Sequence, residues 1–235
     1  MEQPAFSIPP IWIIFGVFAL LSWIIQAGLK SRFKKYSQIP LRYGMTGKDI
    51  AEKMLRDNGI YDVSVVSVQG QLTDHYNPVN KTVNLSQAVY SGNNIAAAAV
   101  AAHECGHAVQ HKTAYSFLTM RSKLVPVVNF SSQWVQWVLL AGIIMVNSFP
   151  QLLLFGIILF GMTTLFSFIT LPVEINATGR ALAWLNRAGI TEVNTYPKAK
   201  DALRWAAYTY VIAALSSLAT LFYYIMIFLG SNRRN

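Results

Sequence analysis

The sequence predicts an α+β fold: a domain with a small β-sheet, embedded among about four transmembrane helices. Three observations predict it. Four uncharged apolar stretches, residues 11–29, 124–146, 152–171 and 205–230, are each long enough to cross a bilayer, which takes about 20 residues of helix. Of the 19 Lys and Arg residues, 17 fall in the intervening segments 30–123 and 172–204. Within the first of these segments, helical and alternating strand patterns follow one another. Only 12% of the chain is charged while 54% is hydrophobic. That is half the charge of a soluble chain, about a quarter, and too apolar for a disordered one. A single Cys excludes a disulfide scaffold within the chain. The net charge of +9 could serve nucleic acid or a lipid surface, and its confinement beside apolar spans selects lipid and excludes nucleic acid.

The first span is read as an anchor rather than a cleaved leader, because no basic residue precedes it and no small-residue cleavage site follows. The basic run Lys30, Arg32, Lys34, Lys35 after it puts the N-terminus outside and the next segment in the cytoplasm by the positive-inside rule. Arg233 and Arg234 then lie beyond the last span, so either the rule is broken there or that span does not fully cross. In the second span Pro126, Asn129, Gln133 and Gln136 turn the first half towards protein or water. In the fourth, Tyr208, Tyr210, Tyr223 and Tyr224 read as interface anchors.

Between the first two spans, Thr46 followed by Asp49 approximates a capping box and Gly59 a stop, so residues 47–58 read as a helix with Ile50, Met54 and Leu55 inward. Residues 61–68, YDVSVVSV, alternate and are β-branched: a strand. After a turn at Gly70, LTDHY and KTVNLS read as a hairpin through Asn77 and Pro78. A helix is then expected over 95–120. After the third span, Pro172 suits the first turn of another helix.

The helix over 95–120 carries His103-Glu104-Cys105-Gly106-His107, an HExxH pattern. A chain with this His and Glu content should hold roughly 0.0015 such matches by accident. Positions i and i+4 share one helix face, so both imidazoles can reach a single zinc ion. Glu104, one residue on, lies beside the metal rather than on it. There it can take a proton from a metal-activated water and pass it to a leaving amine. Small neighbours, Ala96 to Ala99 with Ala101, Ala102 and Ala108, suit close packing of a buried helix. His111 continues the row, but about 12 Å of helix rise separates it from His103, too far for one ion; it is read as polar packing or a group outside the ligand set. Cys105 points to another face and is read as a small core residue. His75 is either an oxyanion stabiliser or a turn histidine satisfied locally.

A catalytic zinc needs a third protein ligand. Glu174 stands out among the carboxylates because it follows the third span at once, where burial near lipid is expensive without a cation. The alternative is a Glu favoured by a helix N-terminus.

Over nearly the whole chain these features resemble the YugP-type membrane zinc metallopeptidases of bacteria. The N-terminal span, LTDHYNP with KTVNLS, HECGHAVQ and LPVEINATGRA occur in that order. The layout is similar to the HtpX-type and prenyl-protein gluzincin proteases. The resemblance implies a zincin-like catalytic domain with His103 and His107 as zinc ligands, Glu104 as base and Glu174 as third ligand. Such relatives place an Asp four residues after the ligand Glu. Here that position is Thr178, which makes Thr178, Asn176 and Arg180 the candidates for holding a zinc-bound histidine from outside. The resemblance also implies that residues 72–86 supply an edge for an extended peptide, and by analogy a setting in protein quality control.

The expected organisation is an anchor over 1–29, a cytoplasmic zinc-binding domain over 30–122, two membrane helices over 123–171, a cytoplasmic segment with the third ligand over 172–204, and a last helix and tail over 205–235. The expected activity is zinc-dependent hydrolysis of peptide bonds in membrane or membrane-adjacent proteins, in the bacterial plasma membrane. Two rivals are an intramembrane protease and a non-enzymatic zinc scaffold. Lys112, Arg121 and Lys123 so soon after the motif disfavour the first. Glu104 disfavours the second, since a structural site has no use for a base and closes its fourth position with Cys or His.

Overall fold

The computed structural model describes residues 10–232. Arg233 and Arg234, which entered the charge reading, lie outside them. The elements run α1 (Pro10–Tyr36), α2 (Gly47–Asp57), β1 (Ser64–Val68), β2 (His75–Asn77), β3 (Thr82–Ser86), α3 (Gln87–Tyr90), α4 (Ile95–Lys112), α5 (Ser116–Ile144), α6 (Pro150–Arg187) and α7 (Tyr196–Asn232). The fold is α+β with a small sheet. Among the described residues four helices, α1, α5, α6 and α7, are long and apolar enough to cross a membrane.

The chain packs into two units. One takes Arg121–Ile169 with the described parts of Met1–Ile24 and Thr209–Asn235; the other takes Ile25–Met120 and Thr170–Tyr208. In the first, Leu139, Leu153 and Ile157 form a small buried cluster, and Thr164 shares a hydroxyl hydrogen bond of 2.7 Å with Ser217. The second holds the main core and every residue of the motif.

In that second unit α2 forms as its caps dictate. Thr46 Oγ1 accepts from the Asp49 N–H at 3.2 Å, and Asp49 Oδ2 accepts from the Thr46 N–H at 2.8 Å. Gly59 leaves the helix in the left-handed region at φ +66°. Ile50, Met54 and Leu55 are buried, and α2 lies against α4. The sheet order is β1-β3-β2. β2 and β3 make the expected antiparallel hairpin, with His75 opposite Asn84, and the Asn77 side-chain oxygen accepts from the Val79 and Asn80 N–H groups in the turn. β1, three residues shorter at its start than expected, runs parallel to β3. The central strand is therefore β3, with Val83 and Leu85 fully buried, and the edge offered by 72–86 is the three-residue β2.

Two helix boundaries correct the sequence reading. α4 ends at Lys112 instead of continuing to about 120. Ala114 adopts φ +49°, the Tyr115 N–H bonds to the Gln110 C=O at 3.0 Å and the Ala114 N–H to the His111 C=O at 3.1 Å. This is a Schellman stop with alanine where glycine is usual, so no Gly or Pro marked it. Pro172 does not open a helix either. It lies inside α6, which runs unbroken over 38 residues; proline is tolerated in such helices when neighbouring groups satisfy the freed backbone. Glu174 is consequently far from any helix N-terminus, which removes the reading of it as a dipole-stabilised terminal carboxylate.

The base of α1 is held to the start of α7 within the same unit. Gly28 lies so close to the Trp205 ring that a Cβ there would fall 2.1 Å from it. The Arg32 guanidinium stacks 3.8 Å above that ring and its Nε donates to Asp201 at 3.1 Å, while the Tyr36 hydroxyl donates to the same carboxylate at 2.8 Å.

Candidate metal centre

Two helices build the site. α4 is almost wholly buried, with Ala96 to Ala99, Ala101 and Ala102 at most 3% exposed. Gly106 lets α6 approach to backbone contact: a Cβ there would sit 2.7 Å from the Ala177 carbonyl oxygen. That approach brings Glu174 of α6 to His103 and His107 of α4. His103 Nε2 lies 3.3 Å and His107 Nε2 3.5 Å from the same oxygen, Glu174 Oε2. One ligand atom from each residue falls within 4.8 Å of the others. The Glu174 side chain is only 4% exposed.

The donor set fits zinc. With bonds near 2.0–2.1 Å, two ligand atoms of a tetrahedral ion stand about 3.3 Å apart, close to both separations found here. Both histidines turn Nε2 inward and Nδ1 outward, where Thr178 Oγ1 meets His103 Nδ1 at 3.2 Å and Gln110 Oε1 meets His107 Nδ1 at 3.0 Å. Two imidazoles and one carboxylate leave a fourth position for water or substrate, as a catalytic site requires. Burial alone would push the His107 pKa down; hydrogen bonding to Glu174 and the charges of Glu104 and Glu174 outweigh it and raise the value. Without metal, then, the pocket favours a positive charge.

Other carboxylates among the described residues are engaged elsewhere. Asp62 pairs with Lys81, Asp201 with Arg32 and Arg204, and Glu192 with Arg42. Asp74 accepts from the Ser86 N–H at 2.7 Å and from its hydroxyl. Glu104 is buried at 8% exposure and is not one of the three converging donors.

Of the remaining candidates, Thr178 reaches His103. Asn176 and Arg180 act one step further out: Arg180 Nε donates to Asn176 Oδ1 at 2.8 Å, and that oxygen also accepts from Gln110 Nε2 at 3.0 Å. His111 is exposed and shares a 3.0 Å hydrogen bond with the Tyr76 hydroxyl. It borders a cavity of about 340 Å³ with Tyr76, Lys81 and Lys112 rather than the donor cluster. His75 is exposed, and its Nδ1 lies 2.8 Å from the Thr73 carbonyl oxygen. Donation there leaves Nε2 a lone pair, so only the protonated ring could stabilise an oxyanion. Cys105 is fully buried with its Sγ 3.5 Å from the Ala51 carbonyl. Burial, then the nearby Glu104 charge, raise its pKa well above the usual value, so thiol labelling there would report unfolding, not water access to the motif.

Gln110 was not anticipated. The signal available was its spacing, three residues after His107 and hence on the same helix face; a lone glutamine in a helix otherwise reads as polar surface.

An HExxH helix is joined by a carboxylate from a second helix in a group that could hold a metal ion, and among the described residues four helices are long and apolar enough to cross a membrane. The chain matches the family described as "Putative neutral zinc metallopeptidase" over residues 11–229, and it belongs to that family. It is 42% identical over 226 residues, 96% of this chain and 100% of the relative, to the "Putative membrane protease YugP" of Bacillus subtilis (strain 168). No solved structure matches it.

Proposed function

We propose that this protein is a membrane-bound zinc metalloendopeptidase that hydrolyses peptide bonds of membrane or membrane-adjacent proteins at the cytoplasmic face, in protein quality control. The observation that carries the reading is the convergence of His103, His107 and Glu174 on one point, with Glu104 one residue from the first ligand. His103, His107 and Glu174 would hold the metal. Zinc so held would supply Lewis acidity, making water nucleophilic near neutral pH and polarising the scissile carbonyl.

Glu104 does the proton work. Its carboxylate takes a proton as water oxygen bonds to the carbonyl carbon, then delivers it to the amide nitrogen as the C–N bond breaks. Its burial keeps this exchange out of bulk water, where competing hydrogen bonds would weaken it. The side of β2 away from β3 suits an extended substrate backbone, because adding a strand satisfies main-chain groups without a deep pocket. The distribution of basic residues, 17 of 19 in the segments around the site, supports a cytoplasmic active site. Glu174, three residues beyond the apolar run ending at Leu171 on one continuous helix, supports substrates at or beside the membrane.

Chelation tests the reading. Purified protein treated with 1,10-phenanthroline should stop cleaving casein, and stoichiometric zinc should restore cleavage. Cleavage indifferent to the chelator would refute a zinc peptidase; tightly bound zinc with no cleavage of casein or of the chain itself would favour the scaffold.

A further inference from the structure

We propose that Gln110 is the positioning residue for His107, oriented by Arg180 through Asn176, and that in this chain the ligand helix is fixed chiefly from Gln110 rather than from Thr178. The proposal rests on the reading of His107 as a zinc ligand. Gln110 is fully buried, and a buried amide is costly unless each of its groups is paired. All of them are. Nε2 donates to the Val173 carbonyl at 2.7 Å and to Asn176 Oδ1 at 3.0 Å, and Oε1 faces His107 Nδ1 at 3.0 Å.

The direction of each bond follows from the far end. A guanidinium has donors only, so the Asn176 atom 2.8 Å from Arg180 Nε must be the oxygen. That oxygen cannot donate, so Gln110 must turn its NH2 group towards it. The Val173 carbonyl independently demands the same orientation. Gln110 is left with only its oxygen for His107, and Nδ1 must carry the hydrogen. In the neutral ring Nε2 of His107 is then the nitrogen without a hydrogen, the form a metal requires. A permanent cation two residues removed thus decides which nitrogen of the ligand holds the proton.

His103 has no such instruction. Its Nδ1 meets the Thr178 hydroxyl at 3.2 Å, and a hydroxyl can donate or accept. The pairing is compatible with either tautomer. The contact between Gly106 and Ala177 is what lets Gln110 reach the Val173 carbonyl across the two helices.

The test measures zinc affinity by competition with a chromophoric chelator, on the detergent-purified full chain, alongside the unfolding midpoint of each metal-free variant. Gln110→Met, which keeps length but no hydrogen bond, should bind zinc about ten- to a hundredfold more weakly, whereas Thr178→Val should stay within about threefold of wild type. Asn176→Asp, which still accepts from both Arg180 and Gln110, should retain affinity, and Asn176→Leu should lose it; this pair decides the matter if Gln110→Met fails to fold. With only 4 histidines in the chain, 15N-histidine spectra of the zinc-loaded protein should show a protonated Nδ1 on His107, disturbed in Gln110→Met. A large loss in Thr178→Val with Gln110→Met unchanged would overturn the proposal while leaving the zinc site intact. Full zinc binding in His107→Ala would instead overturn the ligand assignment itself, and the proposal with it.

Discussion

Glu104→Gln is expected to abolish peptide cleavage while the protein keeps its zinc. Residue 104 lies about 100° around α4 from His103, and its carboxylate is not among the three converging donors. Glutamine preserves the shape and can still hydrogen-bond to water, but it cannot accept a proton from it. General acid–base groups contribute about 10²- to 10⁴-fold, so residual cleavage should fall below about one part in a hundred, with zinc content unchanged. Loss of most of the zinc in this variant would move Glu104 into the ligand set.

Gly106→Ala is expected to weaken zinc binding by at least about tenfold and to remove activity with it. Two effects oppose each other here. Alanine gains about 1 kcal/mol over glycine in a helix interior, but its Cβ would meet the Ala177 carbonyl oxygen at 2.7 Å and the backbone carbons beside it at 3.2 Å. Main chain of two packed helices cannot swing aside as a flexible side chain can, and overpacking costs about 1–3 kcal/mol. The helices must separate, and a metal constellation tolerates only about 0.5 Å of displacement. Gly179, also in α6 but with open space where its Cβ would go, provides the comparison: Gly179→Ala should bind zinc normally. Equal zinc retention in the two variants would show that the close approach does not matter to the site.

What could be read from the residues alone divides along physical lines. The capping box at Thr46, the HExxH spacing and the apolar spans are local signals, and local chemistry determines them. The approach of Glu174 to the two histidines was legible because an ionisable group beside an apolar run needs a partner. The break at Ala114 was not, because the Schellman stop uses alanine and its evidence is a set of main-chain hydrogen bonds. Pro172 misled for the opposite reason: proline is a strong breaker in water and a weaker one in a long, packed helix. The parallel pairing of β1 with β3 depends on a crossover through the hairpin, which alternation cannot register. Gln110 escaped notice because its role exists only once α6 lies against α4.

If His103, His107 and Glu174 together hold one zinc ion, the zinc stoichiometry of purified Glu174→Ala beside Glu192→Ala shows it. Glu192 makes an exposed ion pair with Arg42 at 3.0 Å, a contact worth little to stability. Glu192→Ala should therefore carry one zinc per chain and cleave normally, while Glu174→Ala should lose its zinc on dialysis and its activity with it, though it still inserts and folds. Full zinc and normal cleavage in Glu174→Ala would contradict the account.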